Sequence, residues 1–150
     1  MTAYTTTATG MPTSTGGSNA AGFPAYTIIE ATFDATKRNL AQNDTADIAV
    51  IPKGTVIHTV HWEVLTVEGA ARNFSLGNED SATAYLATTS ANSATSGAAV
   101  GLTLTEATPN TVAAWYLTAE KKLRIAAVTS GGLVATKIRV KLLCTICGIV

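Results

Sequence analysis

The sequence predicts an all-β protein: a single β-sandwich, jelly-roll-like, of about eight strands, preceded by an extended N-terminal arm. Three observations carry that prediction. Apolar residues recur with period two rather than 3.6 in most of the apolar runs. Turn signals rich in Gly, Pro, Asn and Ser separate those runs at short intervals. The longest run, Thr55 to Val67, is β-branched and aromatic and holds neither Gly nor Pro.

Composition bounds the rest. A chain of 150 residues has the size of one ordinary domain. Only 13% of its residues are charged, against about 25% in a typical soluble domain. Lys plus Arg equals Asp plus Glu, so the formal net charge is zero. Nucleic-acid binding, which needs a basic excess to displace counterions, is not expected. A surface this poor in charge lacks the usual protection against self-association, which implies that other subunits cover much of it. No apolar run approaches the roughly 18 residues of a membrane helix, and the N-terminus lacks a signal peptide's basic start and apolar core. The chain is therefore expected to be made in the cytoplasm and to have no membrane partner. Two cysteines, three apart near the C-terminus, supply no disulfide framework.

Residues 1–25 contain no charged residue and are rich in Thr, Gly and Ala, with no helical or strand period. They read as an arm with too little apolar surface to fold alone. Fully extended, such an arm reaches about 80 Å, enough to cross a neighbouring subunit; the other reading is an arm folded back along its own domain. The sandwich is expected over residues 26–150. Tyr26 to Phe33 is the first strand, with Ile29, Ala31 and Phe33 on one face and Ile28, Glu30 and Thr32 on the other. Asp34 to Thr45 is polar loop with one helical turn near Lys37 to Ala41. Ala46 to Ile51 is a second strand. Pro52 and Gly54 then set a tight turn, and the long strand follows with Val56, Val60, Trp62 and Val64 on one face.

Gly69 to Arg72 turns the chain into a short strand, Asn73 to Gly77, with Phe74 and Leu76 inward. Asn78-Glu79-Asp80 is an acidic loop, Tyr85 and Leu86 return to the core, and Thr88 to Gly97 reads as surface loop. Ala98 to Thr105 is a strand with Val100, Leu102 and Leu104 on one face. Thr108-Pro109-Asn110 turns, and Thr111 to Thr118 carries Trp115 and Tyr116. Lys122 to Thr129 and Leu133 to Ile146 are the last strands.

Gly131-Gly132 between them suits a two-residue hairpin loop, because both positions can take positive φ. That register sets Ile125 opposite Ile138 and Leu123 opposite Val140. It also lines up Lys122, Arg124, Lys137, Arg139 and Lys141 on one face, with like charges opposed. Such pairs are mildly destabilising, so something acidic should cover them: Glu30, Glu63 or Glu68 from a neighbouring strand, an acidic patch on a partner, or an anionic ligand.

No motif of catalysis or cofactor binding stands out. There is no G-x-S-x-G elbow, P-loop or G-x-G-x-x-G. His58/His61 and Cys144/Cys147 have zinc-like spacing, but residues three apart on a strand point to opposite faces and do not converge. Cys144 fits better as a small core residue in phase with Leu142 and Ile146. Asn78-Glu79-Asp80 lacks the alternating oxygen ligands of a calcium loop. No metal, no cofactor and no enzymatic activity are expected. Trp62, Trp115, Tyr85 and Tyr116 could stack on sugars if exposed, although Trp62 and Trp115 sit in apolar strands and fit a core.

Ile51-Pro52-Lys53-Gly54-Thr55-Val56-Ile57, followed by an alternating strand, resembles a recurring β-domain of tailed-bacteriophage virion proteins. Phe74-Ser75-Leu76-Gly77-Asn78-Glu79-Asp80 and Tyr85-Leu86 follow in the order of that pattern. Tyr116-Leu117-Thr118-Ala119 and the apolar strand Lys137 to Ile146 match its end. Lys53 stands where the pattern has a small residue, and residues 1–25 match no part of it. The resemblance spans about Tyr26 to Ile146 and implies an accessory virion part, foremost a capsid cement or decoration protein on the capsid surface. The implied partners are the major capsid protein and further copies of the chain, with a homotrimer favoured. The residues expected to make these contacts are Thr5, Thr6, Met11, Pro12 and Phe23 on the arm, then Lys122, Arg124, Lys137, Arg139 and Lys141. The alternatives are a head-fibre or tail-associated module that recognises host glycans, or a tail or connector component.

Overall fold

The computed structural model describes residues 26–100 and 115–146. Among the described residues, eight strands run in the order β1 (Tyr26–Asp34), β2 (Thr45–Ile51), β3 (Thr55–Thr66), β4 (Asn73–Gly77), β5 (Leu86–Ser90), β6 (Ser96–Val100), β7 (Lys121–Ala127) and β8 (Lys137–Ile146). They form two four-stranded antiparallel sheets, β1-β8-β3-β6 and β2-β7-β4-β5. Only β4 and β5 are neighbours both along the chain and in a sheet. Every other connection between consecutive strands passes from one sheet to the other. This is the jelly roll, and the all-β sandwich expected from the sequence is what forms.

Period-two alternation builds the core. β1 turns Phe33 inward and leaves Ile28, Glu30 and Thr32 exposed. β8 buries Ile138, Val140, Leu142 and Cys144, while β7 buries Leu123 and Ile125. Phe74 and Leu76 fill the space between the sheets from β4. The indole of Trp62 lies edge-on to Phe74, ring centres 5.9 Å apart.

The long strand departs from simple alternation. Its register with β8 shifts between Ile57 and Thr59. Thr55 and Ile57 point inward before the shift, and Val60 and Val64 after it. Val56 is therefore out of phase with Val60, Trp62 and Val64. An extra residue in one strand moves everything beyond it to the other face. The polar loop after β1 holds two turns: the N–H groups of Lys37 and Arg38 donate to the Asp34 carbonyl, earlier than expected, and the Asp44 N–H donates to the Ala41 carbonyl.

The stretch Thr88 to Gly97 is not all loop. It holds most of β5 and the start of β6. Both are sheet edges, where little of a strand is buried and the apolar alternation that marks an inner strand is not required. The strand expected over Ala98 to Thr105 begins at Ser96. Leu102, Leu104 and the Thr108-Pro109-Asn110 turn lie outside the described residues, as does the arm. Of the strand expected over Thr111 to Thr118, only Trp115 onward is described, and there it is not a strand: Tyr116 makes an isolated bridge to Val56.

The largest correction concerns the last two strands. β7 and β8 are not a hairpin. β7 lies between β2 and β4 in one sheet, and β8 lies between β1 and β3 in the other. Leu123 and Ile125 therefore face Ile138 and Val140 across the core instead of beside them. The apolar pattern fits both arrangements equally, because each strand shows the core one apolar face in either case. Gly131 and Gly132 do take positive φ, 86° and 67°. The chain after them, however, leaves for the other sheet, with Leu133 bridging to Leu40.

Side chains hold that crossover in place. Arg72 donates from Nη1 to the Gly131 carbonyl at 2.8 Å and the Gly132 carbonyl at 3.2 Å. Glu68 Oε2 accepts the N–H groups of Val134, Ala135 and Thr136 at 2.7, 2.8 and 3.0 Å. These residues cannot join a ladder while their N–H groups are engaged this way.

Candidate interaction surfaces

The crossover divides the expected cationic strip between two outer faces. Lys122 and Arg124 belong to the sheet of β2, β7, β4 and β5, whereas Lys137, Arg139 and Lys141 belong to the other. The opposed like-charge pairs therefore do not exist. Arg124 instead lies beside Asp47, its register partner on β2, with Nε 2.6 Å from Oδ1. That hydrogen bond holds the Asp47 carboxyl below its ordinary value and raises the Arg124 guanidinium. Lys122 gives its backbone N–H to Glu79 at 3.2 Å, and Lys121 pairs with Asp80 at 3.0 Å.

On the other face, β1 and β3 flank β8 and supply the acids. Thr32, Arg139 and Glu63 form one row across the sheet, and Glu30, Lys141 and His61 form the next. Arg139 Nη2 is 2.7 Å from Glu63 Oε2, and its Nε is 4.0 Å from Glu30. Lys141 reaches Glu30 at 3.5 Å, and Lys137 reaches Asp34 at 3.6 Å. Glu30 and Glu63 thus do what the sequence asked of a neighbouring strand. Charges matched row by row leave this face close to neutral.

Glu68 does not join them. It is 3% exposed and turned inward onto the crossover, with Arg72 3.8 Å away. Burial alone would push its carboxyl up. The three backbone N–H groups and the Arg72 charge together outweigh that and hold it below the ordinary range. Nothing in the sequence near Glu68 signals this role, because the three backbone N–H groups it binds lie more than sixty positions away.

The aromatic residues divide as well. Trp115 and Tyr85 are buried, their rings 5.4 Å apart and edge-on. They pack in the core and cannot form a sugar platform. Trp62 is half-buried against Phe74. Tyr116 and Tyr26 are exposed, Tyr26 at 73% beside the ring of His58. Ile28, 63% exposed, continues the apolar surface of Tyr26 along the outer face of β1. His58 Nε2 lies 2.8 Å from the Thr145 hydroxyl, while His61 is exposed and Cys144 is buried in phase with Leu142. Burial raises the Cys144 thiol. Cys147 and the arm residues Thr5, Thr6, Met11, Pro12 and Phe23 lie outside the described residues.

The sequence matches no protein-family model and no curated protein sequence. Its fold, by contrast, has close counterparts. A chain in the capsid of Ralstonia phage GP4 aligns with TM-score 0.61 and 11% identity, covering 86% of this chain and 90% of that one. A chain of the acidic stable capsid of Helicobacter pylori bacteriophage KHP30 aligns with TM-score 0.58 and 14% identity, covering 82% and 90%. A chain of the cyanophage Pam1 capsid asymmetric unit aligns with TM-score 0.63 and 19% identity, covering 87% and 92%. At these identities the likeness is one of fold, and it runs over nearly the whole of each partner chain.

Proposed function

We propose that this protein is a structural component of a phage virion, and specifically a cement or decoration protein that binds the outside of the head. The observation that carries this reading is the near full-length likeness of its fold to chains of three phage capsids. The charge-poor sequence supports it, as do the internally neutralised cations and the lack of a recognisable catalytic motif. No enzymatic activity belongs to this reading. The uncharged arm, with Thr5, Thr6, Met11, Pro12 and Phe23, makes the main contact with neighbouring major capsid subunits. The sandwich oligomerises, as a trimer, so that several weak contacts act together and clamp the shell through effective concentration. Lys122 and Arg124 on one face, and Lys137, Arg139 and Lys141 on the other, are a secondary contact, because acids of the same chain already pair with Arg124, Lys137, Arg139 and Lys141.

Co-sedimentation of purified protein with empty, expanded heads tests this. Binding in stoichiometric numbers, lost when residues 1–24 are removed, is the expected result. Undiminished binding by the truncated protein would remove the arm from the proposal. Absence of binding to any head would favour the second reading, a glycan-recognising fibre or tail module. Among the described residues, the exposed Tyr26 and Tyr116 and the half-buried Trp62 are the aromatic groups left to serve it, and fluorescence responsive to sugars would then be expected.

A further inference from the structure

The two edges of sheet β1-β8-β3-β6 are protected very differently. β1 carries Glu30, Asp34 and the bulky exposed Tyr26 and Ile28 along its length. β6 reads Ser-Gly-Ala-Ala-Val. It has no charge, no proline, and no bulge in its register with β3, from Glu63↔Ser96 to Thr59↔Val100. Charges, prolines and bulges are among the devices that stop a sheet edge from pairing with another chain, and β6, though short, has none of these three. Ser96 and Ala98 are exposed. Beside them, over His61, Glu63, Arg139 and Lys141, lies an open groove of about 640 Å³. An edge that no further strand of the described residues covers, next to an open groove, suits an extended segment, which pairs backbone to backbone and sets alternate side chains into the groove.

The geometry points to one occupant: the N-terminal arm of a second copy of this chain, added to β6 as a fifth strand. This rests on the reading of residues 1–25 as an intersubunit element, but seats Thr2 to Thr9 on a second copy and leaves Met11, Pro12 and Phe23 as the arm residues for the major capsid subunits. The arm joins the fold at Tyr26, on β1, the opposite edge of the same sheet. Three strand spacings, about 14 Å, separate the two edges. To reach its own β6 the arm would have to pass β8 and β3. A copy placed head to tail presents its β6 to the β1 edge directly, and repetition of that contact closes a ring. The chemistry also matches. Thr2 to Thr9 reads Thr-Ala-Tyr-Thr-Thr-Thr-Ala-Thr, with no charge, Gly or Pro and with good strand formers. Residues 10–25 can span up to about 50 Å, which leaves ample slack. An uncharged strand laid on an uncharged edge meets no like-charge penalty and leaves the ion pairs of the groove intact.

The test uses the full-length protein in solution, without heads. Sedimentation velocity is expected to show a discrete oligomer. Ala98→Lys puts a charge on the exposed edge, and Thr5→Pro with Thr7→Pro removes strand donors from the arm. Each is expected to weaken association by at least about tenfold while the far-UV circular dichroism of the sandwich stays unchanged. As a positive readout, a cysteine at Ala98 is combined in turn with one at Thr5, Thr6 or Thr7. At least one combination should link chains covalently into multimers under mild oxidation. A monomeric wild type, an oligomer that both sets of variants leave intact, or a link formed only within one chain would each overturn the inference. A monomer that still sediments with heads would overturn it, and the trimer with it, and leave head binding standing. Cross-linked oligomers that ignore heads would do the reverse.

Discussion

Glu68 shows how one side chain can fix a topology. Its buried carboxylate gathers three consecutive N–H groups of the β7–β8 connection, with Arg72 alongside. Because its folded pKa is depressed, its contribution is present above the ordinary glutamate value and fades as pH falls through the folded one. Asp34 and Asp47 are also depressed and act in the same direction, but they are more open to solvent and screened. Glu68→Gln keeps one acceptor and loses the charge, so it should cost about 1–2 kcal/mol at neutral pH. Denaturant midpoints measured from neutral pH down to about pH 3 should show the gap between wild type and variant closing with acid. A gap independent of pH would mean that the charge of Glu68 contributes nothing. Sequence reasoning anticipated Glu30 and Glu63 as partners of the basic residues, because neighbouring strands were the natural source of acid. It misassigned Glu68, whose partners are backbone groups that only the fold delivers.

At the level of elements, the Gly131-Gly132 turn does more than reverse the chain. A Cβ on Gly132 would collide with the Leu40 carbonyl oxygen, part of the main chain that Leu133 bridges. A Cβ on Gly131 would meet only the end of the Arg72 side chain, which can shift. Both positions have positive φ, so alanine is strained at either. Gly132→Ala should cost at least about 2 kcal/mol, and Gly131→Ala about 1 kcal/mol. The ordering, read from thermal or denaturant unfolding, is the check, and a reversed order would contradict the crossover described. A simple hairpin loop would offer no such asymmetry, since neither glycine would face another segment. The short edge strand β5 and the start of β6 escaped sequence reading for the opposite reason. Half their surroundings are solvent, so Thr, Ser, Ala and Gly serve as well as apolar residues and leave no periodic signal.

Across the whole molecule, both sheets close on a single core. Phe74, Leu76, Leu123 and Ile125 from one sheet meet Ile57, Val60, Ile138, Val140 and Leu142 from the other. Neither sheet keeps a buried face without its opposite. Unfolding should therefore be one cooperative transition, with tryptophan emission and far-UV circular dichroism changing together in denaturant. Trp62 and Trp115 lie at different places in the core, so a sheet melting separately would split the two signals. Emission of the folded protein should be blue-shifted, dominated by the buried Trp115. The same closure turns charge outward, where each basic row meets acids of its own sheet. A chain of zero net charge thereby presents neutral outer faces, a surface suited to covering by other subunits.

By itself the sequence determined the class of fold, nearly every inner strand, the residues that face the core and the uncharged character of the arm. Those properties are local: alternation, turn chemistry and composition act within a few residues, and each can be read from a short window. Only the tertiary structure decided which strands pair. An apolar face on β7 and another on β8 are buried equally well side by side or across a core, and two glycines of positive φ suit either path. The choice came from groups distant in the chain. Glu68 and Arg72 capture the backbone after the turn, Leu40 bridges Leu133, and β1 and β3 take the places beside β8. Strand pairing is non-local, so its energy depends on all the strands at once, and no single turn or alternating run can specify it.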